Sequence, residues 1–241
     1  MDAQQVVSNL VNWLREQTES AGARGAVVGL SGGVDSAVTA ALCKRAFPEN
    51  TLGVIMPCHS NPQDAEHARL VACKIHLPTV TVILDQVYDA LLEQLTKNEP
   101  HTSKVALANL KPRLRMLTLY YFANARNYLV VGTGNRSELA VGYFTKYGDG
   151  GVDLLPLGNL VKAQVRELAY FLEIPEEIIT KAPSAGLWEG QTDEGEMGLT
   201  YAELDRYLLT GQARPEVESK IKDMAARSQH KKSLPSIPPI F

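Results

Sequence analysis

Residues Ala26 to Ser36 read AVVGLSGGVDS. Ala26 to Leu30 (AVVGL) suits a buried strand, a Gly-Gly pair follows, and Asp35 to Ala46 carries helical patterning, so the stretch predicts a strand turning directly into a helix. At such a junction backbone N–H groups converge: glycines let the chain approach closely, and the first helical N–H groups are unpaired and favoured by the dipole for an anion. Ser31 and Ser36 add hydroxyl donors. Asp35 is out of place among phosphate donors unless a cation lies between, and a magnesium ion bridging Asp35 and the phosphates resolves that conflict. The stretch is not a Walker A sequence, because the Gly-Lys-Ser/Thr ending is absent.

Working outward, strand-like and helix-like segments alternate in the manner of parallel sheets with crossover helices. Thr51 to Met56 (TLGVIM), Val80 to Leu84 (VTVIL) and Tyr128 to Gly132 (YLVVG) read as further strands. Between them Pro62 to Ile75 is expected to be helical, with Asp64 and Glu66 near its N-terminal end, as is Val87 to Leu95, capped by Asp85. Pro112 is expected to open a helix reaching about Arg126. Gly142 to Gly158 is glycine-rich without a period and reads as a long loop of the kind that is often functional. Val161 to Leu172 is helical again, Pro175 opens a short helix that Pro183 stops, and Ser184 to Gly198 reads as a polar loop. Tyr201 to Leu209 and Pro215 to Arg227 follow as terminal helices before a proline-rich tail. The fold class expected is α/β: a doubly wound, mostly parallel sheet with helices on both faces.

The chain has 241 residues, 45% hydrophobic and 21% charged, which suits one large α/β domain spanning residues 1–241. A net charge of -3 offers no general attraction for a nucleic-acid backbone, so no nucleic-acid partner is expected. Met1 to Glu16 has apolar Val6, Val7, Leu10, Val11 and Leu14 at helical spacing and reads as a packed amphipathic helix, not a leader. No apolar stretch approaches membrane-spanning length. Cys43, Cys58 and Cys73 are odd in number and lack a Cys-x-x-Cys pair, so neither a disulfide framework nor a structural zinc site is suggested, and cytoplasmic residence with free thiols is the default.

The segment SGGVDS resembles the pyrophosphate loop of the ATP pyrophosphatase superfamily, pattern SGGxDS, whose members split ATP between its α and β phosphates and transfer AMP to a substrate. Gly132 to Glu138 (GTGNRSE), Thr145 to Asp153 (TKYGDGGVD), Arg113, Pro183-Ser184-Ala185 and the Asp193-Glu194 stretch narrow the resemblance to NAD synthetase of the ammonia-dependent type, from about Val27 to His230. YLVVGTGNRSE also looks like a dinucleotide-binding turn, but Ser137 stands at the third glycine position and no separate βαβ unit follows.

The resemblance implies an adenine nucleotide alpha hydrolase-like fold whose C-terminal part, about 199–241, completes the substrate site. ATP would lie on Gly29, Leu30, Ser31, Gly32, Gly33, Val34, Asp35 and Ser36, with Thr133, Lys162 and Ser184. Asp35 and Glu138 match the magnesium ligands, and Arg113, Lys146, Asp153, His230 and Lys231 match the positions for deamido-NAD. Asp35 and Lys162 would serve the chemistry, with Asp153, or secondly Asp149, binding ammonium and helping remove its proton. ATP, deamido-NAD and ammonia are the implied substrates, Mg2+ the cofactor and a homodimer the assembly. Only a short N-terminal helix precedes the loop, so direct use of ammonia is expected in place of an internal glutaminase. A GMP synthetase-like subunit and a non-catalytic nucleotide-binding regulator are the alternatives; TKYGDGGVD with GTGNRSE speaks against the first, and intact Asp35, Glu138 and Lys162 against the second.

Overall fold

A computed structural model describes residues 1–188 and 190–240. The first half runs α1 (Ala3–Ser20), β1 (Ala26–Gly29), α2 (Val34–Ala46), β2 (Thr51–Ile55), α3 (Pro62–Lys74), β3 (Thr79–Thr81), α4 (Asp85–Thr96), α5 (Lys104–Ala108) and α6 (Leu110–Arg126). The second half runs β4 (Leu129–Val130), α7 (Arg136–Val141), α8 (Lys162–Phe171), α9 (Glu176–Ile179), α10 (Asp193–Met197), α11 (Tyr201–Thr210) and α12 (Pro215–Ser228), with a 3-10 turn at Gln229–Lys231.

All four strands are parallel, in the order β3-β2-β1-β4. β1 and β2 are almost wholly buried because both of their faces are covered, which is why they read as continuous apolar runs. On one face Val28 and Ile55 pack with α1, α2, α3, α8 and α9; on the other Val27, Leu52 and Val54 pack with α4 and α6. A third apolar cluster joins α7, α10, α11 and α12 through Met197, Tyr201, Leu204 and Ile221. The amphipathic stripe of α1 is buried at Val7, Val11 and Leu14, and Asp2 caps the helix by accepting from the Gln5 amide at 3.0 Å.

The doubly wound expectation is therefore met, with instructive differences at the ends of elements. Asp85 is not a cap: it is the first residue of α4, and its carboxylate accepts from the His59 amide at 2.6 Å. α6 begins two residues before Pro112, the segment before it, for which no element was expected, holds the short helix α5, and the polar loop Ser184 to Gly198 holds the short helix α10. Helices of five residues carry too little periodicity to be seen in a pattern. The glycine-rich stretch after α7 is irregular but tied down, since Val131 bridges to Leu154 in parallel and the Thr145 amide donates to Asp149 at 2.9 Å.

Leu168 on α8 is fully buried in the cluster that seats α2 against the sheet. Leu168→Ala should cost about 2–5 kcal/mol in urea unfolding while leaving the activity of the folded fraction nearly unchanged.

Candidate active site

The order β3-β2-β1-β4 places a reversal of winding between β1 and β4, and open α/β sheets bind ligands outside the carboxyl ends of the strands at such a point. The segments following β1 and β4 both enter a cavity of about 770 Å3 there. Every residue from Gly29 to Ser36 except Gly32 lines it, as do Thr133, Glu138, Lys162 and Ser184.

The loop's shape is held by its own hydroxyls. Ser36 Oγ donates to the Gly33 carbonyl at 2.9 Å and lies 3.1 Å from Ser31 Oγ, while the Gly33 amide donates to Ser31 Oγ at 3.3 Å. Gly33 is the N-cap of α2 and offers no side-chain cap, so the first N–H groups of the helix remain for a ligand. Gly32 has φ +77°, and α3 packs so close that a Cβ there would lie 2.3 Å from the Asp64 carbonyl oxygen.

Asp35 and Lys162 are 127 residues apart in sequence and form a direct ion pair. Asn135, fully buried as the N-cap of α7, donates from Nδ2 to the other Asp35 oxygen at 2.9 Å. Lys162 Nζ also lies 3.6 Å from Glu138 Oε1 and 5.0 Å from the centre of the Tyr201 ring. Burial alone would lower the pKa of Lys162, but Asp35 and Glu138 outweigh it and raise the value, so the ammonium is firmly charged. Glu138 completes a capping box, accepting from the Asn135 amide at 3.0 Å, and burial followed by the charge of Asp35 pushes its pKa up.

Asp193 is a third carboxylate in this group. It is 5% exposed, its Oδ2 accepts from Tyr201 Oη at 2.9 Å, its Oδ1 has no hydrogen-bond partner among the described residues, and burial raises its pKa. Three carboxylates thus surround one lysine, an excess of negative charge suited to a cation. Among the described residues no group of three or more acidic, histidine or cysteine side chains is close enough to enclose a metal alone. That donor set fits magnesium, which is commonly held by one or two carboxylates plus substrate phosphates.

The residues matched to the second substrate divide into two groups. Lys231 lines the cavity, with Nζ donating to the Gly142 and Phe144 carbonyls at 2.9 Å each. Arg113, Lys146 and His230 form a chain outside it: an Arg113 Nη donates to the Lys146 carbonyl at 3.5 Å, and Lys146 Nζ to the His230 carbonyl at 2.6 Å. Asp153 is turned away from the cavity, accepting from the Val130 amide at 2.8 Å and from Tyr120 Oη at 2.9 Å. Asp149 instead lines it, and burial raises its pKa. Cys58 is buried and free, with its thiol pKa raised by burial, and serves as packing.

Sequence reasoning missed Asn135, Arg115 and Tyr201, and gave Asp193 no role of its own. Asn135 had a legible signal, the N-x-x-E spacing of a capping box; Arg115 and Asp193 had none, because their facing depends on packing.

A model of the NAD synthase family matches residues 6–235. The chain is 62% identical over 230 residues to the NH(3)-dependent NAD(+) synthetase of Carboxydothermus hydrogenoformans, covering 95% of each chain. Among solved structures it is similar to the NMN synthetase from Francisella tularensis, with a TM-score of 0.94, 40% identity and complete coverage of both chains. It also resembles the NH3-dependent NAD synthetase from Campylobacter jejuni, with a TM-score of 0.81, 32% identity and coverage of 99% and 100%.

Proposed function

The chain belongs to the NAD synthase family, and on that premise we propose that it amidates the pyridine carboxylate of deamido-NAD with ammonia, cleaving ATP to AMP and pyrophosphate. It is an ammonia-dependent ligase forming a C–N bond. The observation that carries this reading is the meeting of the SGGVDS loop, the open N-terminus of α2 and the Asp35–Lys162–Glu138 group at the switch point of the sheet.

A carboxylate is a poor acyl donor, so it first attacks the α-phosphorus of ATP. The loop amides, the Ser31 and Ser36 hydroxyls and the helix terminus receive the departing pyrophosphate, and Lys162 offsets the charge that develops on its oxygens. Thr133 and Ser184 complete the ATP side. A magnesium ion on Asp35 and Glu138 would neutralise phosphate charge there. Ammonia then attacks the adenylated carbonyl and AMP leaves.

At neutral pH ammonium predominates, and the group that binds it and takes a proton has to face the cavity. Asp149 does so and Asp153 does not, so the role falls to Asp149, whose burial brings it closer to the basicity required. Asp149→Asn should still form the adenylate, detected as pyrophosphate release, while NAD formation falls about 10²–10⁴-fold. Equal loss of both steps would count against this role.

Arg113, Lys146 and His230 at the rim, with Lys231 and the segment 199–241, would hold the remainder of the dinucleotide. Its far end and the second copy of the chain meet, in this reading, along α6, where Leu117 and Tyr121 are 64% and 69% exposed beside the half-buried Tyr120 and Phe122. Single exposed apolar residues are ordinary, whereas a contiguous set on one helix marks an association surface. Leu117→Glu should convert a dimer to monomer in sedimentation and weaken the acceptor more than ATP. Among the described residues no helix is long and apolar enough to cross a membrane, and the three free cysteines support the cytoplasm as location.

The test is incubation with ATP, magnesium and deamido-NAD, with ammonium or glutamine, followed by analysis for NAD and AMP. NAD with ammonium alone is expected; no NAD under any condition sinks the reading. The similarity to an NMN synthetase favours a second acceptor, since amidating the mononucleotide is the same chemistry on a smaller molecule, and nicotinate mononucleotide belongs in the same assay.

A further inference from the structure

Arg115 lines the cavity and has no part in the scheme above. Arg115 stands on α6 two positions after Arg113, and at 3.6 residues per turn the two side chains leave the helix on nearly opposite sides. Arg113 is exposed at the rim, whereas Arg115 lines the cavity. Its Nε donates to the Met56 carbonyl at 3.1 Å and one Nη to Ser60 Oγ at 3.0 Å, which fixes the guanidinium against the end of β2.

Both of those acceptors are neutral. Lys162 is paired with Asp35 and Glu138, and Lys181 with Asp64, but Arg115 has no ion pair among the described residues. Burial works against its charge, and the fields of Asp149 and Asp64 only partly restore it. A guanidinium does not deprotonate in proteins, so this is a permanent, partly desolvated cation held rigidly without a counterion among the described residues. An anion entering the cavity removes that cost, and the planar fork suits paired anionic oxygens.

We propose that Arg115 is a substrate-binding residue of this cavity, donating charge-assisted hydrogen bonds to anionic oxygens of the reactants: the pyridine carboxylate of the acceptor, or the phosphates of ATP. The proposal rests on the amidation reading. The carboxylate is the better match because the loop and α2 already serve the pyrophosphate, and because Asp149, the ammonium-binding candidate, contributes to the field at Arg115. A carboxylate that becomes an amide loses its charge, so the same guanidinium holds substrate more tightly than product.

Titration calorimetry on the full chain with magnesium, using Arg115→Met and Arg115→Gln, measures Kd for ATP, deamido-NAD and NAD. The glutamine variant keeps a donor for the Met56 carbonyl while removing the charge. We expect acceptor affinity to fall about 10- to 100-fold, the equivalent of one charge-assisted hydrogen bond, with NAD affinity nearly unchanged. A loss confined to ATP assigns the phosphates as the anion and also supports the proposal. Variants that melt cooperatively and bind both substrates as tightly as wild type overturn it. Should both neutral variants fail to fold, Arg115→Lys decides, since it keeps the charge without the fork: weaker binding of either substrate supports the proposal, and unchanged binding of both overturns it. NAD formation by wild type is followed in parallel, so a wild type that binds but makes no NAD sinks the amidation reading while the Arg115 result stands by itself.

Discussion

Lys162→Met should slow adenylation about 10²–10³-fold and destabilise the fold by about 3–5 kcal/mol at pH 8. Lys162 is 2% exposed and is the ion-pair partner of both Asp35 and Glu138, with Asp193 also close enough to shift it. Removing the ammonium leaves three carboxylates together in a poorly solvated space, where each disfavours ionisation of the others. The folded protein answers by taking up protons.

The pH dependence follows in sign. In the variant the folded-state pKa values of Glu138 and Asp193, which burial already raises in wild type, lie further above the unfolded ones. A group raised in the folded state contributes no penalty below its unfolded pKa and a growing one as pH rises through its folded pKa. The stability gap between wild type and variant should therefore be wide at pH 8 and narrow at pH 5. Urea unfolding at the two pH values, with pyrophosphate release for activity, measures both effects. A gap independent of pH, or a rate within tenfold of wild type, would show that Lys162 is not the counter-charge of this cluster.

The second large effect is expected from Gly32→Ala. An L-residue at φ +77° is strained by about 1–2 kcal/mol, and the new Cβ would sit 2.3 Å from the Asp64 carbonyl oxygen and 3.0 Å from His67 Cβ. The nearer obstacle is backbone at the start of α3, so the loop itself has to move. Lys181 ties the same parts together, with Nζ 2.7 Å from Asp64 Oδ1 and 3.5 Å from the Gly32 carbonyl, which prevents α3 from yielding freely. A displacement of the order of 1 Å in the groups that position a reacting phosphate costs about 10²-fold, so kcat/KM for ATP should fall by about that factor. Gly33→Ala is the control: its φ is -102°, and an added Cβ would meet only Ser31 Oγ, at 3.4 Å. Equal ATP kinetics in the two variants would remove the case for Gly32 as the pivot of the loop.

Strand and helix order, and the strand-to-helix glycine turn at AVVGLSGGVDS, were legible because they rest on neighbours in sequence. Buried parallel strands have to be apolar on both faces, and the turn needs glycine where φ is positive. The ends of most elements fell within one or two residues of their expected places, while α5 and α10 escaped because one turn of helix leaves no pattern.

Facing was not legible in the glycine-rich segment. Asp149 and Asp153 stand four positions apart without a regular period, and hydrogen bonds from Val130 and Tyr120, which no local rule supplies, turn Asp153 away. The same holds for Arg113 and Arg115, alike in sequence and separated only by which side of α6 meets the cavity. The sequence by itself thus determined the glycine turn between β1 and α2 and the α/β class. Tertiary structure alone decided which charges meet: the reversal between β1 and β4 brings Lys162 to Asp35 across 127 residues and, among the described residues, leaves Asp193 Oδ1 without a partner and puts Arg115 in the cavity wall without a counterion. Local patterns record the conformation of neighbours, whereas the balance of buried charge depends on residues that only the packed sheet and helices bring together.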